Sequence, residues 1–200
     1  MNLSGTEKEY EFQEFKGLNL QNARLEYKTF TSCVFEKCSF REAAFAHCTF
    51  QDCTFRHCDL SLMTLKECAF KNTLFEHSQL VGVNWVDTNL AQRKLFAKPV
   101  DFVDCALNHS TFMGLNLKNV RLTQCMAKNV SFEEADLSHA NCAFTDFAES
   151  RFFHTNLTET DFTEARNYSI AANANTLRKT IFSLPEAMSL LYGLDIVLKE

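Results

Sequence analysis

A large apolar residue recurs every five positions along nearly the whole chain. From Phe15 to Leu95 every fifth residue is Phe, Leu or Trp, and after a slip of two residues the series resumes at Phe102 and runs to Phe182. Of the 34 positions in this phase, 30 hold one of these residue types, and the exceptions are Ala127, Cys142, Asn167 and Ala172. Neither an α-helical period nor a strand period produces this pattern. It indicates an internal repeat of five residues.

Each five-residue unit combines the large residue with a small one two positions earlier. We call the large position i; position i−2 usually holds a small residue, as in Ala43, Cys58 and Val120. The other three positions are mostly polar. A unit with only two inward-facing residues cannot bury itself, so the units must stack on one another as they do in a solenoid.

The repeat resembles the consensus of the pentapeptide-repeat family, roughly Ala-(Asp/Asn)-Leu-x-x. Residues 135–139 (Ala-Asp-Leu-Ser-His) and 155–159 (Thr-Asn-Leu-Thr-Glu) match it closely. The resemblance covers residues 10–182 and implies an all-β fold, a right-handed quadrilateral β-helix with four units in each coil. The repeat then makes about eight coils, which at about 4.8 Å per coil is a rod about 40 Å long.

We predict that residues 1–182 form the β-helix and that residues 183–200 form a short helical cap and dimerisation segment. The slip at residues 96–101 divides the β-helix into two blocks, because Pro99 cannot donate a ladder hydrogen bond. One departure has no explanation in the sequence: Lys28 lies at an i−2 position, where a small residue is expected.

The C-terminal segment carries helix signals and a strongly apolar surface. Ser183–Glu186 is typical of a capping box, and Gly193 suits a helix C-cap. Because the last coil of a solenoid exposes its core and strand edges, this cap either shields a monomer or joins two copies. The segment resembles the cap of Qnr-type family members, which dimerise through it. We therefore predict a homodimer interface at Leu184, Met188, Leu191, Leu194 and Ile196.

The cysteines and histidines occupy fixed positions of the repeat. Eight of the nine cysteines lie at i−2 and Cys142 lies at i, so we expect them to act as small core residues. All six histidines lie at i+2, an outward corner, where His57 should stack on His77. The chain has no zinc-type cysteine spacing, no glycine-rich phosphate loop and no nucleophile–base pair. We predict a protein that is not an enzyme, with no catalytic residue, metal, cofactor or small-molecule substrate.

Charge and hydropathy limit the partners. The net charge of −5 argues against a general affinity for nucleic acid. No stretch of eighteen apolar residues occurs, which argues against a membrane span. The segment 1–14 is charged and lacks an apolar core, unlike a signal peptide. Nine cysteines in a chain without an export signal favour a reducing compartment, so we expect a cytoplasmic location.

Acidic residues are concentrated in the second block. Residues 129–165 hold eight acids against Arg151 alone, a formal charge of −7. The acids flank inward positions and should project outward: Glu133, Glu134, Asp136, Asp146, Glu149, Glu159, Asp161 and Glu164. This surface either keeps the protein soluble or binds a basic groove of a protein partner.

Two segments narrow the resemblance within the family. Residues 80–85 and 182–196 are similar to segments of the Qnr, albicidin-resistance and microcin B17-immunity group. Members of that group imitate duplex DNA and occupy the DNA saddle of DNA gyrase or topoisomerase IV. The resemblance implies a topoisomerase-binding DNA mimic that gives resistance or self-immunity; the alternative is an interaction scaffold with no topoisomerase link. Plasmid-type Qnr proteins carry long loops, and a slip of only two residues argues against quinolone protection.

Overall fold

The five-residue units wind into an all-β parallel solenoid of about eight coils, seen in a computed structural model that describes residues 3, 6–92, 100–194 and 196. All strand pairings among these residues are parallel, and successive coils are twenty residues apart, as Phe15 pairs with Phe35 and Phe35 with Phe55. This confirms the predicted fold. No helix of the described part of the chain is long and apolar enough to cross a membrane.

The coils have four faces, which we number in chain order. The strands are β1 (Glu9–Glu11), β2 (Glu14–Lys16), β3 (Arg24–Glu26), β4 (Thr29–Thr31), β5 (Val34–Glu36), β6 (Ala44–Ala46), β7 (Thr49–Gln51), β8 (Thr54–Arg56), β9 (Thr64–Lys66), β10 (Ala69–Lys71), β11 (Thr73–Glu76), β12 (Val100–Val103), β13 (Leu122–Thr123), β14 (Asp161–Phe162) and β15 (Ile181–Phe182). Strands β1-β4-β7-β10 form face 1, β2-β5-β8-β11-β12-β13 form face 2, and β3-β6-β9 form face 4. Face 3 is a ladder of single bridges that runs from Asn19 to Arg166.

Columns of large residues fill the interior. Position i is buried from Phe15 to Leu90 and from Phe102 to Phe162. Rings of successive coils stack nearly parallel, with centroids 4.9 Å apart for Phe15 and Phe35 and 4.5 Å apart for Phe35 and Phe55. Such spacing is favourable for aromatic pairs, in addition to the area that they bury.

Position i−2 also satisfies the backbone. The Cys53 thiol donates to the carbonyl of Phe30 at 3.4 Å, and the Thr73 hydroxyl donates to the carbonyl of Phe50 at 3.1 Å. Both bonds reach a carbonyl 23 residues earlier in the chain, so either side chain serves the same corner. Since a buried carbonyl needs a partner, Cys, Ser and Thr can replace one another here.

Position i+2 takes the left-handed backbone conformation at almost every corner. The φ angles there lie near +55°, as for Asn22 (57°), His57 (53°) and Glu134 (60°). The N–H at i+2 donates to a carbonyl nineteen residues later; that of Asn22, for example, reaches Arg41 at 3.0 Å. A left-handed non-glycine residue costs roughly 1 kcal/mol or more, and the ladder of the neighbouring coils holds it in place.

The break between the blocks is longer than a two-residue slip. Thr73 pairs with Val100 and Phe75 with Phe102, so this coil contains 27 residues instead of twenty. The insertion is therefore seven residues long, one five-residue unit and two further residues. Because a whole unit does not change the phase of the repeat, the sequence shows only the shift of two. Leu95 and residues 96–99 lie outside the described residues. The expectation of a minor interruption was wrong. The length of the interruption therefore no longer argues against quinolone protection.

The first coil shows why Lys28 is tolerated inside. Its ammonium group donates to the carbonyl of Glu7 and lies 5.8 Å from the centroid of the Tyr10 ring. Its side chain is 6% exposed. The long side chain thus reaches the open end of the solenoid and satisfies a carbonyl there, as the thiols and hydroxyls do in later coils.

The last coil departs from the predicted phase. Ile170 pairs with Phe152 and Tyr168 is buried, so these residues take the inward places expected for Ala172 and Asn167. A short 3₁₀ helix, Ala172–Ala174, follows. The register of twenty returns where Thr176 pairs with Asn156.

The predicted capping box was wrong. The C-terminal helix is a 3₁₀ helix, Glu186–Gly193, and no side chain caps its start. The Ser183 hydroxyl instead accepts the N–H of Glu164 at 3.1 Å, and the Glu186 carboxylate accepts the N–H of Asn167. Both side chains thus satisfy donors that the missing next coil would have satisfied. A third 3₁₀ helix, Asn89–Gln92, precedes the insertion.

We predict that Ser183→Ala lowers the free energy of unfolding by about 1 kcal/mol, because the N–H of Glu164 loses its acceptor. Urea unfolding monitored by circular dichroism measures the change. Ser169→Ala is the control, since Ser169 is exposed on the same coil. Equal stability of the two variants would contradict the capping role of Ser183.

Candidate partner-binding surface

The eight acids predicted from the sequence encircle the rod instead of sharing one face. We call them the acid belt. Four are corner residues at i+2, each on a different face: Glu134, Glu149, Glu159 and Glu164. The other four lie at i−1 or i+1 and again cover every face: Glu133, Asp136, Asp146 and Asp161. The belt therefore presents negative charge in all directions around the axis.

Most of the belt is not neutralised by cations. Arg151 lies 3.5 Å from Glu133, Lys128 lies 3.3 Å from Asp146, and His139 lies 3.1 Å from Glu159. The remaining five acids have no ion-pair partner among the described residues: Glu134, Asp136, Glu149, Asp161 and Glu164. Because these five carboxylates are unpaired within the described part of the chain, the belt keeps a net negative charge.

Hydrogen bonds fix the inner carboxylates of the belt. Asp136 accepts from the N–H of Ser138 and from the Asn156 amide, both at 2.9 Å. Burial alone would raise the pKa of Asp146, but hydrogen bonds from Asn167, Ala148 and Lys128 lower it below its usual value. Asp146 is therefore ionised at neutral pH, and its hydrogen bonds hold the carboxylate in one orientation.

The C-terminal residues predicted to form a dimer interface are mostly exposed. Leu184 is 77% exposed, and Met188, Leu194 and Ile196 are between 40% and 51% exposed, whereas Leu191 is half-buried. Leu190 packs against the core instead. An apolar end of this kind suits a contact with another surface, and the dimer remains a prediction.

Sequence reasoning missed two exposed aromatic residues beside the belt. Phe144 and Phe153 are 56% and 52% exposed. Phe144 occupies an i+2 corner, where the repeat places polar residues elsewhere in this block. Its position in the repeat was the available signal, because a phenylalanine at i+2 cannot belong to the core.

The histidines and cysteines lie where the repeat places them. His57 and His77 stack with centroids 5.0 Å apart, as predicted, and His77 Nδ1 lies 2.7 Å from Asp104. All nine cysteines are buried and free. Among the described residues, no three His, Cys, Asp or Glu side chains cluster as metal ligands would. The cysteines pack in the core, and the histidines occupy left-handed corners.

The repeat itself decides the family. A model of the pentapeptide repeat region matches residues 28–98, and a model of pentapeptide repeats in eight copies matches residues 116–152 and 128–166. The chain belongs to the pentapeptide-repeat family. A search of curated proteins found no match.

Solved structures of this family share the fold. A trypsin-treated variant of QnrB1, a plasmid-mediated fluoroquinolone resistance protein, superposes with a TM-score of 0.70 over 96% of this chain and 92% of its own, at 16% identity. Full-length QnrB1 gives a TM-score of 0.54, also at 16% identity, over 94% of this pentapeptide-repeat protein and 100% of its own chain. At this identity the likeness establishes the architecture alone.

We predict that alkaline pH destabilises the protein through its buried thiols. Burial raises the pKa of Cys53 to about 12. An unfolded thiol titrates near pH 8.5, so between pH 8 and pH 10 the unfolded chain loses this proton while the native chain keeps it. For Cys53, the free energy of unfolding then falls by roughly 1–2 kcal/mol. Urea unfolding at both pH values measures the loss.

Cys53→Thr is the matched control, because Thr73 occupies the next place in the same column and does not titrate. This variant should lose less stability than the wild type between the two pH values. The same loss in both proteins would show that the Cys53 thiol titrates alike in the native and unfolded states.

Proposed function

We propose that the protein imitates duplex DNA and binds a type II topoisomerase in the cytoplasm, DNA gyrase or topoisomerase IV. Binding would inhibit the enzyme or protect it from antibiotics or toxins. The observation that carries the proposal is the acid belt, which surrounds a solenoid rod on all four faces. The shared architecture with QnrB1, a fluoroquinolone resistance protein, supports it.

The charge density of the belt is comparable with that of DNA. Residues 133–164 span about one and a half coils, or roughly 8 Å along the axis at about 4.8 Å per coil. A net charge of −7 over that length is about one charge per ångström, whereas duplex DNA carries one per about 1.7 Å. A Lys- and Arg-lined saddle that binds phosphates would attract this rod.

Dimerisation through the cap would extend the mimic. The belt ends at Glu164, about one coil before the exposed residues of the segment 184–196. Two rods joined through these apolar residues would place their belts on either side of the junction. The negative segment would then be about twice as long and two-fold symmetric, as a DNA saddle formed by two subunits requires.

We predict that the triple variant Glu134→Gln, Glu149→Gln, Glu164→Gln inhibits gyrase supercoiling at least about tenfold less than the wild type, because it removes three corner charges that have no ion pair. Its affinity should also depend less on salt concentration. Binding by calorimetry and a plasmid supercoiling assay measure both effects.

The matched control is Glu9→Gln, Glu11→Gln, Glu26→Gln, which removes three exposed charges from the opposite end of the rod. Inhibition by the control should equal that of the wild type. Equal inhibition by both triple variants would rule out the belt as the binding surface. A wild type that neither binds gyrase or topoisomerase IV at low salt nor changes supercoiling would contradict the whole proposal and leave the scaffold alternative.

An expressing strain challenged with a quinolone, albicidin and microcin B17 would show which agent is countered. The quinolone belongs in this panel because the interruption between β11 and β12 is seven residues. Protection against any of the three agents supports the topoisomerase proposal, provided that the belt variant loses it and the control variant keeps it.

A further inference from the structure

One corner next to the acid belt is apolar and lies beside the C-terminal cap. Phe144, Glu164, Arg166, Leu184 and Pro185 line a shallow groove of about 300 Å³ between the corner of faces 2 and 3 and the start of the cap. We call it the Phe144 groove. Of the five predicted dimer residues only Leu184 lines it, so we assign Leu184 to the groove and leave Met188, Leu191, Leu194 and Ile196 to the dimer junction.

Phe144 gains little from its own fold. Its backbone has a φ of 60°, where Asn or Gly is favoured over an aromatic residue. The ring is 56% exposed and has no aromatic partner among the described residues. Four other corners of the fold hold Asn in the same conformation: Asn22, Asn72, Asn119 and Asn129. Phe12 is likewise an exposed corner phenylalanine at the far end; what distinguishes Phe144 is its place in a groove beside the acid belt.

The charges around the groove indicate what that partner carries. Glu164 is exposed on the next coil directly above Phe144, and its carboxylate has no ion pair among the described residues. Glu186 adds a second carboxylate at the rim, against the single cation Arg166. Two copies of the chain would bring like charges together here, so a second copy fits poorly. A protein segment with an apolar side chain flanked by Lys or Arg fits well.

We propose that the Phe144 groove is an apolar anchor site for a basic protein partner. The inference rests on the proposed function and sharpens it: the topoisomerase would be recognised by Phe144 and Leu184 as well as by charge. A phosphate-binding saddle alone responds to any negative rod, whereas an apolar contact within the basic surface distinguishes this protein from DNA.

The test compares Phe144→Asn with the wild type in binding to purified gyrase and topoisomerase IV at several salt concentrations. Asn suits this corner, so the variant should be at least as stable in thermal unfolding. Affinity for the enzyme that the wild type binds should fall about tenfold with an unchanged salt dependence, since no charge is lost. Phe12→Asn is the matched control at the far end, where Phe12 occupies the same kind of corner and is 80% exposed.

Tyr27→Asn is a second control at another exposed corner of the first block, and neither control should change affinity by more than about twofold. Light scattering on each variant follows the oligomeric state. Unchanged affinity of Phe144→Asn, or a loss of self-association in that variant alone, overturns the inference; the latter identifies a second copy as the occupant. A wild type that binds neither enzyme overturns both the proposed function and this inference. A wild type that binds, with unchanged affinity in Phe144→Asn, overturns this inference alone.

Discussion

The backbone ladder between coils is the interaction on which the rest of the structure depends. Most corner N–H groups are paired with a carbonyl nineteen residues later on the next coil, so every coil is held by its two neighbours and by nothing more distant. The ladder forces the left-handed corners, and the corners turn two side chains of each unit inward. Because this constraint acts on the backbone, residues as different as Asn22, Glu134 and Phe144 occupy corners at a modest energetic cost.

The five-residue period predicted most of the fold because it records which residues face inward. The Phe15 column and the cysteine positions could be assigned from the sequence, since both follow from the period alone. The ends and the break could not. Lys28 is explained by the open carbonyl of Glu7 and Ser183 by the N–H of Glu164; each side chain pairs a backbone group at its own end of the solenoid.

The acidic residues of the candidate site were predicted from the sequence, but their distribution around the rod was not. A count of charges locates the acidic segment, whereas its shape follows from four units per coil, which place Glu134, Glu149, Glu159 and Glu164 on four different faces. The five-residue period likewise indicated an insertion of two residues, because insertions of two and of seven residues shift the period by the same amount. The pairing of Phe75 with Phe102 shows that the insertion contains an additional five-residue unit.

That insertion has a geometric consequence for the surface of the second block. Four units complete a coil, so one additional unit within the coil would turn everything after it by a quarter of a revolution about the axis. Phe102 nevertheless pairs with and stacks on Phe75, so the second block is not turned in this way. Each belt residue therefore lies at the angle about the axis that it would have if the solenoid were uninterrupted. A deletion of all seven residues would restore a coil of twenty residues and preserve that alignment.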